Sequence, residues 1–224
     1  MFTTRPVFQG VTHIQDAMGV CFTLIEGKER ALLFDTGYGT EDVQANIRLI
    51  AAGLWEEERG EKLIAAMDEV KREIAAKVAE IPESERKSVV LLSVMTTYGG
   101  AESAFDDMCK NAGVINGIAK IGLKNGQILT KELLVKIDPD IMLLPTYDDQ
   151  GTFDTQNFID GYLNDPALQS MKAIQEKSLV YPREGYIYNG SQDFVFGIQE
   201  LAFCVYGDAF RQEDNRHLSF SGEN

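Results

Sequence analysis

The sequence predicts an α/β protein: a three-layer lobe with a mainly parallel sheet, preceded by a β-hairpin segment and a long linking helix. The first residues alternate in the manner of paired strands around a glycine-containing turn. The middle of the chain repeats apolar residues at helical spacing, and short apolar strands then alternate with helices. The predicted domains are 1–44 for the hairpins, 45–82 for the linking helix region, 83–210 for the lobe and 211–224 for a polar tail.

The hairpin segment is indicated by two apolar runs, residues 19–26 and residues 31–37, on either side of the polar stretch 27–30. β-branched and apolar residues around a short connection that contains glycine are typical of a hairpin. The stretch 35–42 contains two glycines and several turn-forming residues, so the second strand should end there.

The linking helix is predicted from an apolar stripe on an otherwise charged segment. Because Gly53 and Gly60 interrupt the pattern, we expect a short helix near 45–52 and a main helix over 57–79, which Pro82 ends. The stripe should be buried against the lobe or across a dimer interface. Its members are Leu63, Met67, Val70, Ile74, Val78 and Ile81.

The lobe begins with a continuously apolar strand, the type that a parallel sheet buries on both faces. A Tyr-Gly-Gly loop and a helix follow it, and Thr130 can cap the next helix. The predicted units are a strand at 88–95, a helix at 103–111, a helix after Thr130, a strand at 138–145, helices at 158–163 and 166–172, a strand at 178–182 and a closing helix at 193–210. We expect the tail 211–224 to be loosely held.

Charge and composition exclude several classes of partner. The chain carries 35 acidic and 21 basic residues, a formal charge of -14 that disfavours nucleic acid. No stretch is apolar enough for membrane insertion, and the first residues lack the pattern of a secretory signal, so the chain as written is expected in the cytoplasm. The three cysteines, Cys21, Cys109 and Cys204, are expected to be buried thiols.

The second half of the sequence resembles a known family. The segments Gly-Val-Ile-Asn at 113–116, Ile-Leu-Thr-Lys-Glu-Leu-Leu at 128–134, Ile-Asp-Pro-Asp-Ile-Met-Leu-Leu at 137–144 and Ser-Leu-Val-Tyr-Pro at 178–182 carry the likeness. They resemble the C-terminal lobe of substrate-binding proteins of iron–siderophore, haem and cobalamin ABC transporters. The resemblance implies two lobes joined by a long helix, with the ligand between them.

The same resemblance implies a partner, a set of ligands and a location. It implies docking on an ABC permease and places an acidic docking residue at Asp106; an ordinary solvated helix charge is the alternative. A ferric siderophore, haem or cobalamin would be a ligand, and no cofactor is implied. The family is normally exported or lipid-anchored.

Candidate ligand residues follow from where strands end. Ligands of an open α/β sheet lie at the carboxyl ends of its strands. Thr96, Thr97 and Gly99 follow the first predicted strand, Asp148 and Asp149 the next, and Gly185 the last; the tyrosines beside them are the ligand candidates Tyr98, Tyr147, Tyr186 and Tyr188. Tyrosine rings suit a flat, partly apolar ligand. The alternative is that these rings pack on the sheet as ordinary loop residues.

The first 43 residues resemble the opening strands of a metallo-β-lactamase-fold hydrolase, chiefly through Leu-Phe-Asp-Thr-Gly at 33–37. That family's zinc site needs an HxHxDH-type cluster. This chain has two histidines, His13 and His217, and no HxH, so we predict no metal and no catalytic residues. We therefore expect Asp35 to cap or brace a turn and not to bind a metal. The sequence as a whole resembles a chimera joined near residues 43–45.

Three functions are compatible with the sequence. The chain is a non-catalytic binding-protein lobe with a remnant or altered ligand surface, or a structural or interaction protein that self-associates as a homo-oligomer. A metallo-β-lactamase-like hydrolase is the weaker third alternative.

Overall fold

In a computed structural model of the chain, the described residues are 3–8, 11–15, 21–26, 31–34, 40–93, 97–144 and 154–218. The chain divides into two compact units. One comprises Met1–Glu69 with Leu218–Asn224, and the other comprises Val70–His217.

The first unit opens with an antiparallel sheet of four strands in sequence order, which confirms the hairpin segment. The strands are β1 (Thr3–Phe8), β2 (Val11–Gln15), β3 (Cys21–Glu26) and β4 (Ala31–Phe34). The register between β1 and β2 shifts between Pro6 and Phe8. Proline has no N–H to donate, and here it occupies an edge strand, where its effect on pairing is tolerated.

Two helices follow, α1 (Thr40–Leu54) and α2 (Glu57–Ala79). The bounds of α2 are those predicted, whereas α1 continues through Gly53 and ends before Trp55, which has a left-handed φ of 59°. A Cβ placed on Gly60 would lie 2.6 Å from the Cβ of Ala51. Gly60 therefore permits close contact between α1 and α2 rather than breaking the helix.

The apolar stripe of α2 is buried within a single chain, so it needs no dimer interface to cover it. Leu63 and Ile81, at the two ends of the predicted stripe, are half-buried. The predicted members that are buried are Met67, Val70, Ile74 and Val78, and Ile64, which was not among the predicted members, is buried as well.

The second unit contains a parallel sheet of four strands, with the order β6-β5-β7-β8. They are β5 (Ser88–Leu91), β6 (Ile115–Asn116), β7 (Ile141–Leu143) and β8 (Leu179–Val180). In the central strand Val89, Val90 and Leu91 are all at most 1% exposed. Successive residues of a strand point to opposite faces, so both faces of this sheet are covered, as in other α/β layer structures.

Helices connect these strands, and the predicted α/β class is confirmed. They are α3 (Ala104–Asn111), α4 (Gly117–Lys120), α5 (Lys131–Ile137), α6 (Thr155–Leu163), α7 (Lys172–Gln175), α8 (Glu184–Ile187) and α9 (Phe194–Tyr206). Short 3-10 turns lie at Glu83–Glu85, Pro166–Leu168 and Asp208–Phe210. None of the helices in the described part of the chain combines the length and the apolar composition that crossing a bilayer needs.

Side-chain caps fix where several of these helices begin. The hydroxyl of Ser103 accepts from the N–H of Asp106, and that of Thr130 accepts from the N–H of Leu133, as the sequence predicted for Thr130. The closing helix is shorter than predicted because Gly207, at φ 80°, ends it.

The expectation of a loosely held tail is wrong for residues 211–217. Gln212 is buried, and its side-chain amide donates to the carbonyl oxygen of Phe196 at 2.9 Å. Polar partners in α8 and α9, far away along the chain, supply the bonds that hold this stretch. Residues 219–224 of the predicted tail lie outside the described residues.

Candidate functional site

The candidate site lies at the carboxyl edge of the parallel sheet. From β5 the chain moves outward to β6 and then crosses back to β7 on the other side of β5. At such a switch point the loops after the two central strands separate and leave a crevice in which ligands of open α/β sheets bind. Tyr98 follows β5. Tyr147, which follows β7 in sequence, lies outside the described residues, as do Thr96, Asp148 and Asp149.

Two glycines hold the loop after β5 close to the body of the lobe. A Cβ on Gly99 would lie 2.8 Å from the ring of Phe105. A Cβ on Gly100 would lie 2.5 Å from the carbonyl carbon of Lys124, and the Gly100 N–H donates to the side-chain oxygen of Asn125 at 2.8 Å. Neither position has room for a side chain, so packing requires glycine at both.

Thr97 joins this loop to the loop at 123–127. Its N–H donates to the carbonyl oxygen of Gln127, and its own carbonyl accepts from the N–H of Gly126, both at 2.9 Å. The residue is 6% exposed, and its hydroxyl oxygen has no hydrogen-bond partner in the described part of the chain. Burial of a hydroxyl without a hydrogen-bond partner lowers the stability of the folded protein. This hydroxyl belongs to the residue directly before Tyr98.

Tyr98 and Tyr188 come together at this edge. Their ring centroids are 5.2 Å apart, with the planes inclined at 57°, and both residues are half-buried. A tilted pair at this separation is a favourable aromatic contact. Two of the predicted ligand residues, which are far apart in sequence, therefore form one aromatic surface.

Tyr186 occupies a different environment from Tyr188. It is 6% exposed, and its ring packs edge-on against Phe196 with centroids 6.2 Å apart. Its hydroxyl accepts from the N–H of Arg216 at 2.6 Å and donates to the carbonyl oxygen of Glu213 at 3.2 Å. The ring and the hydroxyl of Tyr186 are thus both occupied within the protein.

Asp106 is buried in the first turn of α3. One carboxylate oxygen accepts from the side-chain amide of Asn116 at 3.1 Å, and the other accepts from the N–H of Glu102 at 3.3 Å and pairs with Lys110 at 2.7 Å. The alternative of an ordinary solvated charge is wrong, because the side chain is only 8% exposed. Its charge is neutralised locally by Lys110, whose pKa it raises through that hydrogen bond.

The histidine, cysteine and acidic side chains of the described residues bear on metal binding and nucleophilic chemistry. Within the described residues, no three His, Cys, Asp or Glu side chains converge in a way that could hold a metal ion. Burial raises the pKa of the Cys109 thiol well above its ordinary value. His217 pairs with Asp193, and the side chains of His13 and Cys21 lie outside the described part.

An open groove of about 730 Å³ lies at the opposite edge of the lobe, beside Lys87, which precedes β5. Tyr206, Phe210 and the end of α2 line it, and the ammonium group of Lys77 already donates to the carbonyl oxygen of Ala209 at 2.9 Å. Because ligands of open parallel sheets bind at the carboxyl edge, this groove does not belong to the candidate site.

A family model described as "Periplasmic binding protein" matches residues 24–184. The chain belongs to the periplasmic binding protein family. The matched region begins in β3, upstream of the join that the sequence predicts near residues 43–45. A search of curated proteins found no match for the chain.

Solved structures of periplasmic binding proteins share the fold of this chain. A periplasmic binding protein from Veillonella parvula superposes with a TM-score of 0.61 at 18% identity, over 75% of this chain and 57% of that one. A periplasmic heme-binding protein from Roseiflexus sp. RS-1 gives 0.59 at 23% identity, over 75% of this chain and 63% of that one. An Fe3+-hydroxamate transport protein from Saccharomonospora viridis gives 0.56 at 20% identity, over 77% and 58%. The chain thus spans roughly three fifths of these binding proteins.

One group of residues in this binding-protein lobe was missed by sequence reasoning. Glu200 is 1% exposed within the apolar helix α9, and its carboxylate accepts from the backbone and the guanidinium of Arg183. That hydrogen bonding raises the pKa of Arg183 further above its ordinary value. A signal was available, because Gln199 and Glu200 interrupt the otherwise apolar middle of α9.

Proposed function

We propose that this chain is a non-catalytic ligand-binding lobe that holds a flat, partly apolar ligand on the surface formed by Tyr98 and Tyr188. The observation that carries the proposal is the pairing of these two rings at the switch point of a parallel sheet. Rings that expose part of their faces supply contact area, and their hydroxyls supply polar tips for orientation.

The buried hydroxyl of Thr97, for which the described residues offer no hydrogen-bond partner, supports the same location. A ligand with a polar group at this edge would give that buried oxygen a partner and recover the cost of leaving it unpaired. Tyr147 lies outside the described residues and is proposed as a further ligand residue only from its position after β7 in the sequence. Tyr186 is buried, and its proposed role is to support this surface by holding α8, the helix before Tyr188.

The ligand class follows from the surface and from the kind of protein that shares its fold. We propose a ferric siderophore, haem or cobalamin. Haem and the corrin ring of cobalamin are planar and partly apolar, and aryl siderophores carry aromatic rings. The neighbours described as a heme-binding and an Fe3+-hydroxamate transport protein support this class without fixing the ligand.

An ABC permease is the proposed macromolecular partner, with Asp106 as the docking residue that the family resemblance implies. The carboxylate is already paired with Lys110 and Asn116. We therefore propose that it acts by fixing the start of α3 and offers only its small exposed fraction to a partner. Export to the compartment of such a permease would be part of the same function.

A titration tests the proposed binding function. Haem, cobalamin and ferric hydroxamate siderophores are added to the purified chain and followed by absorbance and fluorescence quenching. One lobe provides about half of a two-lobed cleft, so we expect binding no tighter than about micromolar, roughly -8 kcal/mol. Tyr98→Ala and Tyr188→Ala should each weaken it about tenfold, because each removes one ring's contact.

The conservative variants are the matched controls. Tyr98→Phe and Tyr188→Phe keep the rings and should retain most of the affinity, provided that unfolding curves show that all four variants are folded. No binding at millimolar ligand would reject the binding function. Equal effects of Ala and Phe would mean that the hydroxyls, and not the ring faces, carry recognition.

A second candidate function, an interaction protein that self-associates, is favoured by apolar residues at the end of α1. Leu49, Leu54 and Trp55 are 48%, 59% and 68% exposed. Apolar side chains grouped on a surface are a common feature of interaction sites. Sedimentation of the wild-type chain beside Leu54→Lys would test this: a homo-oligomer that dissociates in the variant would support it, and a monomer in both would reject it.

The N-terminal segment 1–44 is proposed to derive from a metallo-β-lactamase-like start joined to the binding-protein lobe. The antiparallel order of β1 to β4 is compatible with such strands. This proposal concerns the ancestry of the segment. Among the candidate functions of the chain, metallo-β-lactamase-like hydrolysis is the weakest. Hydrolysis of a chromogenic β-lactam in the presence of added zinc would be the result that favours it.

A further inference from the structure

Residues 211–217, here called the strap, lie against α8 and α9 and bond to them at several points. The Phe210 carbonyl, just before the strap, accepts from the side chain of Gln199 at 3.2 Å. Near the other end, the guanidinium of Arg216 donates to the oxygen of Gln199 at 3.1 Å and stacks over the ring of Phe196, 4.3 Å from its centroid. His217 then pairs with Asp193, which precedes α9. The strap is thus fixed at both ends.

Arg183 joins the strap to the start of α8. Its backbone N–H and its Nε each donate to Glu200 at 2.8 Å. Another nitrogen of the same guanidinium donates to the side chain of Asp214 and to the carbonyl oxygen of Glu213 at 3.3 Å. Glu200 is almost fully buried, so removal of Arg183 would leave an uncompensated charge in the core.

Tyr186 joins the strap to the middle of α8. Its hydroxyl makes two hydrogen bonds, one from the N–H of Arg216 and one to the carbonyl oxygen of Glu213. The backbone of Tyr186 is also close to α9, because its carbonyl oxygen would lie 2.6 Å from a Cβ at Gly197. This helix is therefore held by both α9 and the strap, with no room to shift toward α9.

The helix α8 cannot hold this position by itself. It has 4 residues, far fewer than an isolated helix needs to be stable in water. Its place must come from tertiary contacts. The described residues show the ion pair of Arg183, the two hydrogen bonds of the Tyr186 hydroxyl, the packing of the Tyr186 ring on Phe196 and the burial of Ile187. Tyr188, whose ring contacts Tyr98, comes directly after this helix.

We propose that the strap positions Tyr188 against Tyr98, with Tyr186 and Arg216 as positioning residues that act on the ligand surface through α8. The inference deepens the proposed function and depends on it only for the effect on ligand binding. The geometric effect on the tyrosine pair is independent of any ligand.

The experiment uses the full chain labelled with 3-fluorotyrosine, with the signals of Tyr98 and Tyr188 assigned through single Tyr→Phe variants. Tyr186→Phe removes one hydroxyl and keeps the ring. Tyr206→Phe is the matched control, because the Tyr206 hydroxyl also bonds a backbone carbonyl of this unit, that of Gly113 at 2.6 Å, away from α8. Arg216→Ala weakens the strap from its other side.

We expect Tyr186→Phe and Arg216→Ala to shift or broaden the fluorine signals of Tyr98 and Tyr188, and Tyr206→Phe to leave them in place. Ligand affinity should fall about three- to tenfold in the first two variants, as loss of one or two hydrogen bonds predicts, and stay unchanged in the control. A purely structural role would lower the melting temperature of all three variants and leave the signals of Tyr98 and Tyr188 unmoved.

Failure of this inference and failure of the proposed function give different results. Unchanged fluorine signals in both strap variants would reject the positioning role whether or not a ligand binds. Shifted signals in a protein that binds none of the tested ligands would support positioning and reject the binding function.

Discussion

Val78, in the last turn of α2, packs directly against the backbone of Gly113. A Cβ at position 113 would lie 2.5 Å from Cγ1 of Val78, and the backbone of Gly113 has a φ of 66°. Two independent demands, space and a left-handed conformation, therefore select glycine here. This contact fixes the end of the long helix to the loop before β6.

Gly113→Ala should lower the free energy of unfolding by roughly 2–5 kcal/mol, the sum of about 1–2 for the left-handed conformation and about 1–3 for overpacking. Gly122→Ala is the matched control, because Gly122 has a φ of 77° but a Cβ added there would meet no atom within 4 Å. Gly122→Ala should lower the free energy of unfolding only by the cost of the left-handed conformation, about 1–2 kcal/mol. Urea unfolding of both variants measures the difference.

Val78→Ala combined with Gly113→Ala isolates the packing contribution. Val78→Ala opens space for the new methyl group, so the double variant should be more stable than the sum of the two single changes predicts, by about 1 kcal/mol or more. Strict additivity would contradict direct packing between the two positions.

The buried stripe of α2 gives a prediction about charge. Ile74 is 3% exposed and Met67 is 0% exposed, so Ile74→Asp and Met67→Asp should each cost about 3–5 kcal/mol by placing a carboxylate in the core. Ala75→Asp, on the exposed side of the same helix, should cost under about 1 kcal/mol from helix propensity. Thermal melts measure the stability of the three variants, and sedimentation measures their oligomeric state. Equal melting temperatures and an unchanged oligomeric state in all three would contradict the burial of the stripe.

The two neighbouring acidic residues of α3 should respond differently to the same change. Asp106→Asn replaces one of two oxygens that together accept from Asn116, Glu102 and Lys110. The new NH2 group would face a donor, so we expect a loss of about 1–3 kcal/mol.

Asp107→Asn is the control, because it removes the same charge from the same helix turn and keeps an oxygen for its bond from Asn111. Its effect should stay within about 0.5 kcal/mol. Guanidinium unfolding at pH 7 measures both variants, and equal losses would show that the buried network of Asp106 carries no specific stabilisation.

The thiol of Cys204 gives a prediction at alkaline pH. Burial, with Glu200 nearby, raises its pKa from the ordinary value of 9.0 to about 12. Between these values the unfolded chain loses the thiol proton while the folded chain keeps it. This contribution is therefore fully present below pH 9 and is lost as the pH rises toward 12, by up to about 1.4 kcal/mol per pH unit.

The measurement compares wild type with Cys204→Ala by urea unfolding between pH 8 and pH 11. Tyrosine and lysine ionisation affects both proteins, so the difference between their slopes reports the thiol. We expect the steeper decline in the wild type, and parallel slopes would contradict a raised pKa.

Much of the local structure could be predicted because its causes are local. The bounds of α2 follow from an apolar stripe and the end signal at Pro82, and the start of α5 from the hydroxyl of Thr130. The continuous apolar run of β5 predicted a strand buried on both faces. The positions of loops after strands also placed Tyr98 and Tyr188 on one edge of a parallel sheet.

The sequence by itself determined the helix and strand periods, the α/β class and the edge at which loop tyrosines gather. Only the tertiary structure decided that Tyr186 lies inside and Tyr188 at the edge, that Asp106 is buried, and that the strap is fixed. The physical reason is that the burial of a polar side chain depends on partners distant in the chain. Tyr186 is bonded to Glu213, and Glu200 to Arg183. A local pattern can mark a residue as unusual, as it does for Glu200 in the apolar helix α9, but it does not identify the distant partner.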